Sequence, residues 1–388
     1  MKPAEDIDAI VRGFLAQQAR AAADQSRPLR RGTHAKGICV RARFDVPDLA
    51  GAGDAELAAR LAVGVFARPG VYPAVARFAN SDPTVNSDWQ RDVRGLSFSV
   101  DLSASGQVPP LRGEDAVGTS TGRVVRDTSG SPHAALPAEP GGAPPTQRIR
   151  QDWSLQSAPT LPFDDTRAFA VFGRVLAARN EAVGLAAASP DDRLLFARTK
   201  AAVVQQQRQQ VVRPYQKLRY WSNVPFRYGS RDIVKYSASP RPANPARPLV
   251  IGNPQALRDE LLRHLNDDEN MSVFDVSVQF LDVGRMRFER TPRDAAFWVE
   301  NASVEWPEDE APFHTVATLT LERGGALADD ECEGMFIDVN ACSLPEHEPV
   351  GRLNVARRAA EAASRRARGV GTDGFRSGSA GTAGAGPP

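Results

Sequence analysis

Arg31-Gly32-Thr33-His34-Ala35-Lys36-Gly37 runs directly into Ile38-Cys39-Val40-Arg41-Ala42-Arg43-Phe44. The second stretch alternates: Ile38, Val40, Ala42 and Phe44 fall on one side, and Cys39, Arg41 and Arg43 on the other. That is the period of a half-buried β-strand. The first stretch sets a histidine at the mouth of the strand, three residues after an arginine. An imidazole beside fixed positive charge is a candidate for moving protons. A lone histidine is more often structural, so the reading depends on what the chain brings near it.

Upstream, Ala4 to Ala23 spaces Ile7, Ile10, Val11, Phe14 and Leu15 as an amphipathic helix. Downstream, Asp54 to Ala67 reads as a helix with Asp54 as its cap. Val75 to Phe78 and Gly95 to Val100 read as strands, Leu96, Phe98 and Val100 alternating with serines. From Ser103 to about Gln147 the composition turns to Pro, Gly, Ser and Thr. Such a segment buries too little apolar surface to offset its ordering entropy and is expected to be a flexible insertion. Helices are expected over 164–180, 191–210, 254–266 and 354–368, and strands over 218–228, 233–239, 274–281 and 315–322. Many short strands with inserted helices and no strand–helix–strand rhythm favour an α+β chain, an antiparallel barrel or sandwich with attached helices. The expected division is an N-terminal helix and arm (1–30), a barrel domain (31–342, interrupted at 103–148), a late helix segment (343–368) and a disordered tail (369–388).

Acidic and basic residues nearly cancel, leaving a net charge of +1. Phosphate binding wants a basic excess, so nucleic acid is not the expected partner. The three cysteines, Cys39, Cys332 and Cys342, are odd in number and show no metal-type spacing. They predict neither a disulfide framework nor a zinc site, and a reducing compartment is the simpler reading. No leader peptide or membrane span is read in the chain. A cytoplasmic protein is therefore expected. Among the other histidines, His133 falls in the insertion, His264 is expected at the surface, His314 is expected to be structural, and His347 is expected to pack or hydrogen-bond.

Several segments, in order, resemble the haem catalases. Arg31-Gly-Thr-His34-Ala-Lys-Gly37 is similar to their distal histidine segment, Arg77-Phe78-Ala79-Asn80 to Val-Arg-Phe-Ser, and Arg91-Asp92-Val93-Arg94-Gly95-Leu96 to Arg-Asp-Pro-Arg-Gly-Phe. Phe66 to Gly70, Tyr220 to Gly229 and Glu346-His347-Glu348-Pro349 resemble the small bacterial catalase-related haem proteins. The resemblance implies an antiparallel eight-stranded β-barrel with surrounding helices, holding haem b between the barrel wall and a late helix. It implies a peroxide-dependent oxidoreductase, catalase-like or peroxidase-like, acting on hydrogen peroxide or an organic hydroperoxide. His34 would be the distal acid/base, Arg31 and Arg77 would meet the haem propionates, and Asp92 would lie near the substrate channel. A homodimer is the assembly it suggests.

Two positions depart from that pattern. The family's amide segment, Asn-Asn-Thr-Pro-Val-Phe-Phe, is matched by Gln151 to Leu161, which puts Gln156 or Ser157 at the amide position and leaves Phe169 to cover a haem face. The proximal Arg-x-x-x-Tyr becomes Arg357 to Glu361, so a carboxylate stands where the iron-binding phenolate would be. Iron would then carry a carboxylate, with Glu361 the candidate, a water or a ligand from elsewhere; each is a weaker donor than phenolate, and poor peroxide disproportionation is expected. The alternative is a catalase-like chain without haem, Glu361 serving only in helix ion pairs with Arg357 and Arg365.

Overall fold

The computed structural model describes residues 3–103 and 149–370. The expected insertion, with His133, and the expected tail lie almost wholly outside the described residues. The strands are β1 (Gly37–Val46), β2 (Gly70–Asn80), β3 (Arg94–Asp101), β4 (Arg150–Gln156), β5 (Tyr220–Trp221), β6 (Phe226–Tyr228), β7 (Asp232–Pro240), β8 (Val273–Phe280), β9 (Arg287–Phe288), β10 (Thr291–Pro292) and β11 (Phe313–Ala326). The helices are α1 (Pro3–Asp24), α2 (Ala55–Leu61), α3 (Thr166–Ala177), α4 (Glu181–Ala187), α5 (Pro190–Gln209), α6 (Ala256–Asp267), α7 (Ala295–Glu300), α8 (Asp329–Gly334) and α9 (Arg352–Ala367).

Strands β5-β4-β3-β2-β1-β11-β8-β7 are hydrogen-bonded in that order, and β7 pairs back onto β5. The result is a closed antiparallel eight-stranded barrel, with β6 attached to β7 and β9–β10 forming a separate hairpin. The alternation read in β1 decides its orientation. Ile38, Val40, Ala42 and Phe44 are buried in the central core. An eight-stranded barrel has an interior just wide enough for side chains to fill. Here aromatic rings fill it: Trp153 stacks on Phe98 at 4.9 Å and on Phe44 at 5.4 Å, and meets Tyr236 edge-on at 6.1 Å. A ligand must therefore sit outside the barrel wall, beneath the helices.

The elements differ from expectation in four places. The helix expected over Asp54–Ala67 is two pieces. Asp54 caps α2 by accepting from Leu57 N at 2.8 Å, and after Leu61 the chain passes through left-handed Gly64 into a separate 3-10 turn, Gly64–Ala67. The strand expected over 218–228 is split into β5 and β6 by left-handed Asn223. His264 is buried rather than at the surface, its ring held between Asp268 Oδ2 (2.8 Å) and Ser272 Oγ (2.9 Å). Finally, Cys39 and Cys332 form a disulfide, and Cys342 is free. The cysteine reading fails because 293 residues separate the partners, and only the folded wall of β1 against α8 brings them together. The ground for expecting a reducing compartment goes with it. Among the described residues no helix is long and apolar enough to cross a membrane.

Candidate functional site

The outer face of β1 to β4 has two adjacent rows of residues in cross-strand register. One row is Cys39, Arg77, Ser97 and Ser154; the next is Gly37, Ala79, Gly95 and Gln156. Apart from Arg77 and Gln156 the side chains are small, and the floor is shallow enough to leave space under the covering helices. Ser97 and Ser154 lie 3.2 Å apart across it.

Two helices form the roof. On α9, Arg357, Glu361, Ser364 and Arg365, with Arg368 at its C-cap, recur at helical spacing along one stripe facing the floor. On α1, Ile10, Gly13, Phe14 and Gln17 do the same. Helix α1 is held down by its crossing with α3. A Cβ on Gly13 would lie 2.6 Å from the Gly173 backbone, so the crossing requires glycine there.

The space between floor and roof has two adjoining lobes, of about 330 and 110 Å³, and His34, Thr33, Phe14, Ser154 and Glu361 border both. The larger lobe is mostly apolar, walled by Val93, Leu161, Phe163, Phe169, Phe172 and Val224. The smaller is ionic, with Arg31, Arg77, Arg365 and Arg368 against Asp338 and Glu361. A wider groove of about 820 Å³ between α4 and α5 lies away from His34 and shares no residue with either lobe.

His34 takes the left-handed conformation, φ 58°. Its N–H donates to Ser81 O (2.9 Å), its carbonyl accepts from Arg77 (2.7 Å), and Nδ1 lies 3.1 Å from Thr33 Oγ1. The imidazole lies over Gly95, where a Cβ would come within 2.6 Å of Cδ2 and 2.9 Å of Nε2. Backbone strain of this kind persists when the surroundings over-determine it, and it gathers at functional sites. Burial, reinforced by the charges of Arg77, Arg357 and Arg31, pushes the imidazole pKa down to about 3. The ring is neutral at ordinary pH and has an acceptor nitrogen to offer.

The other expected residues divide into two groups. Gln156, Phe169, Arg357 and Glu361 border the larger lobe, and Arg31, Arg77 and Glu361 the smaller. Ser157 does not reach either lobe. Its hydroxyl donates to Gln210 Oε1 (2.7 Å) and accepts from Arg94 N (2.8 Å), joining β4 to the end of α5. Of the two amide-position candidates, the structure brings only Gln156 to the cavity. Asp92 also lies behind the wall. It accepts from Ser81 Oγ (2.5 Å) and Asp82 N (3.0 Å), and so braces the turn that receives the His34 and Ala35 amides. Burial raises its pKa against those hydrogen bonds.

Glu361 Oε1 accepts from Arg357 at 3.2 Å, and its carboxyl lies within hydrogen-bonding reach of the Asp338 side chain. The accessible part of the side chain faces the cavity rather than bulk water. Burial raises its pKa; Arg357 opposes the shift and nearby Asp338 adds to it. Arg365, the other expected partner, pairs instead with Asp338 at 2.9 Å. Arg77 Nε is buried without a partner, and burial depresses that guanidinium's pKa. The orphaned guanidinium nitrogen of Arg77, at the smaller lobe, is a group a ligand would satisfy.

Sequence reasoning missed Asn223, Asp338, Arg368 and Phe14. Asn223 is buried, left-handed at φ 57°, borders the larger lobe and donates to Ala158 O at 2.5 Å. Asp338 sits in a segment without periodicity, so nothing local marked it. The helical spacing of Phe14 marks it as apolar but carries no sign that it reaches the cavity.

The closed barrel, its late covering helix and the cavity between them define a class: this is a chain with the catalase fold. A fungal catalase matches it with a TM-score of 0.55 at 13% identity, over 89% of this chain and 61% of that one. Catalase A from Saccharomyces cerevisiae matches with a TM-score of 0.55 at 14% identity, over 89% and 63%, and a bacterial catalase with 0.55 at 15%, over 90% and 59%. The chain thus spans about three-fifths of the length of these structures. No family model and no curated protein matches it.

Proposed function

We propose that the two-lobed cavity binds haem b and that the protein is a peroxide-dependent oxidoreductase with His34 as distal acid/base. The observation that carries this reading is the placement of His34 and Glu361 on one cavity that is apolar at one end and ringed by arginines at the other. That polarity suits a flat apolar macrocycle with two carboxylates. Arg31, Arg77 and Arg368 would hold the carboxylates, Phe169 and Leu161 would pack on the ring, and Glu361 would offer the metal a carboxylate oxygen. Bound haem supplies an iron centre at which peroxide is cleaved.

The chain's own contribution is proton control. Neutral His34 accepts a proton from the peroxide oxygen and, being a weak base in this setting, returns it readily to the departing oxygen. Gln156 and Asn223 present amides to the same lobe and can orient a polar ligand.

Titration of the purified protein with hemin tests the reading. One-to-one binding with a Soret band, and peroxide turnover lost in His34→Ala, is the expected result. Binding without fixed stoichiometry refutes it. One observation favours a haem-free binding role instead. All five tyrosine hydroxyls are committed to partners in the protein body, Tyr236 to His347 and the others to Arg68 O, Asn80, Tyr215 O and Leu61 O. None borders the cavity to supply a phenolate. Glu361→Tyr separates the readings: haem gained by this variant from a parent that has none supports the second.

A further inference from the structure

The arginine end of the cavity is held from outside the barrel by one short helix. Arg31, which borders the ionic lobe, donates to Glu333 Oε2 (3.3 Å), Cys332 O (3.3 Å) and Met335 O (2.6 Å), all on or just after α8. Arg368 donates to Glu333 O at 3.2 Å, and Arg30 pairs with Glu333 Oε1 at 3.2 Å. Helix α8 is only six residues long, and its apolar contacts with the wall are limited to a small cluster: Cys39, Val75, Leu327, Cys332 and Met335. The covalent attachment in that cluster is the disulfide. Cys39 also lies directly opposite Arg77 in the β1–β2 register. One bond therefore ties α8 to the wall beside two of the arginines that give the lobe its charge.

We propose that Cys39–Cys332 is a redox-sensitive tether that sets how tightly the arginine end of the cavity holds an anionic ligand. Reduction by a dithiol transfers two electrons: the reductant's thiols close into a disulfide, and its two protons pass to Sγ of Cys39 and Cys332. With the bond open, α8 keeps its few apolar contacts, its arginine pairs and, two residues before it, the Leu327 N–H to Cys39 O bond (2.9 Å). Arg31 and Arg368 then lose fixed acceptors and the lobe loses its preorganisation. Cys39 and Cys332 are both buried, so a reductant would reach the bond through an opening of α8 on its outer side. Cys332 borders a separate pocket of about 250 Å³ shared with Arg30, Arg258, Asp329 and Glu333.

The inference rests on reading the arginine end as an anion site, and the test separates the two. Protein purified without reductant is denatured and alkylated. One reactive thiol, Cys342, is expected; three would overturn the tether. Native protein is then compared with and without a dithiol by hydrogen exchange. Faster exchange confined to residues 327–337 and 30–37 is expected, and unchanged exchange overturns the proposal. Iron-free protoporphyrin IX, which carries both carboxylates but cannot use an axial ligand, probes the anion site. Its affinity should fall about tenfold on reduction, the order expected for one charge-assisted hydrogen bond. Equal affinities overturn the tether, and no binding by the oxidised protein overturns both it and the anion reading. Glu333→Gln leaves the disulfide intact and should weaken porphyrin binding without dithiol, while Cys342→Ser should change neither measurement. Weakening by Cys342→Ser, or none by Glu333→Gln, refutes the route through α8.

Discussion

Gly95→Ala isolates the position of one ring. Gly95 is in mid-sheet, opposite Ala79 and Gln156, and it is not among the residues with positive φ. Its backbone accepts alanine without strain, so the fold should survive. The new methyl group would stand 2.6 Å from His34 Cδ2 and 2.9 Å from Nε2, separations real Cβ atoms essentially never show. Ordinary contact begins near 3.4 Å, so the imidazole must withdraw by about 0.8 Å. The ring can swing into the lobes it borders, but the backbone beneath it cannot follow. That backbone is pinned by Ser81 and Arg77 and already holds φ 58°. We expect about 1–3 kcal/mol of destabilisation from overpacking. A misplacement near 1 Å should cost about a hundredfold in peroxide turnover by the hemin-loaded protein. The assay pairs denaturant unfolding with turnover at saturating hemin. A variant that folds, binds hemin and keeps parental turnover would refute the assignment of His34 as the acid/base.

Other consequences can be checked in the same preparations. His347 is fully buried, accepting from Val65 N at 3.2 Å and meeting the Tyr236 hydroxyl at 3.0 Å, and burial pushes its pKa down to about 3. The unfolded chain therefore binds more protons between about 6.5 and 3. The contribution of neutral His347 is complete above pH 6.5 and is lost as pH falls through that window, by at most about 5 kcal/mol. His347→Gln should flatten this part of the stability profile, and a variant profile parallel to the parent's rejects the account. Arg77→Leu removes a buried, incompletely partnered guanidinium; folding stability should stay within about 1 kcal/mol of the parent or rise, while porphyrin affinity falls. A large loss of stability would show that the Arg77–His34 hydrogen bond outweighs the burial cost. Gly13→Leu cannot fit against Gly173 and should lift α1. Limited proteolysis should then release the first 25–30 residues from an intact barrel, whereas parental resistance contradicts the crossing.

Strands whose faces differ in chemistry were legible. The alternation of β1 and β8 shows directly which side chains fill the barrel, because a period of two is a local property. The segments around His34, Arg77 and Arg94 were legible as a set because each kept a compact pattern. What stayed hidden needed a partner far along the chain. The Cys39–Cys332 bond, the Asp338–Arg365 pair and the seating of Phe14 over Gly32 depend on how helices lie on the outer wall, and no spacing encodes that. Strand β5 is two residues long and carries no period to read. The side chains of Gln156 and Ser157 point to opposite faces of β4's end, so neighbours in sequence have unrelated roles. The split of the helix expected over 54–67 turned on Gly64, whose left-handed φ is set by the fold rather than by its own neighbours.

The pairing that spans most sequence in the barrel joins its first strand to its last: Phe44 lies opposite Leu319, and Val40 opposite Ala326. On a ribosome β1 therefore emerges some 280 residues before the strand that completes it. At a synthesis rate of about 5–20 residues per second that wait is about 15–55 s. Throughout it, β1 presents an unpaired apolar margin to the surrounding medium. Nascent chains stalled before Phe313 should be held by chaperones or aggregate, and release past Ala326 should be the moment at which the newborn chain stops being sticky.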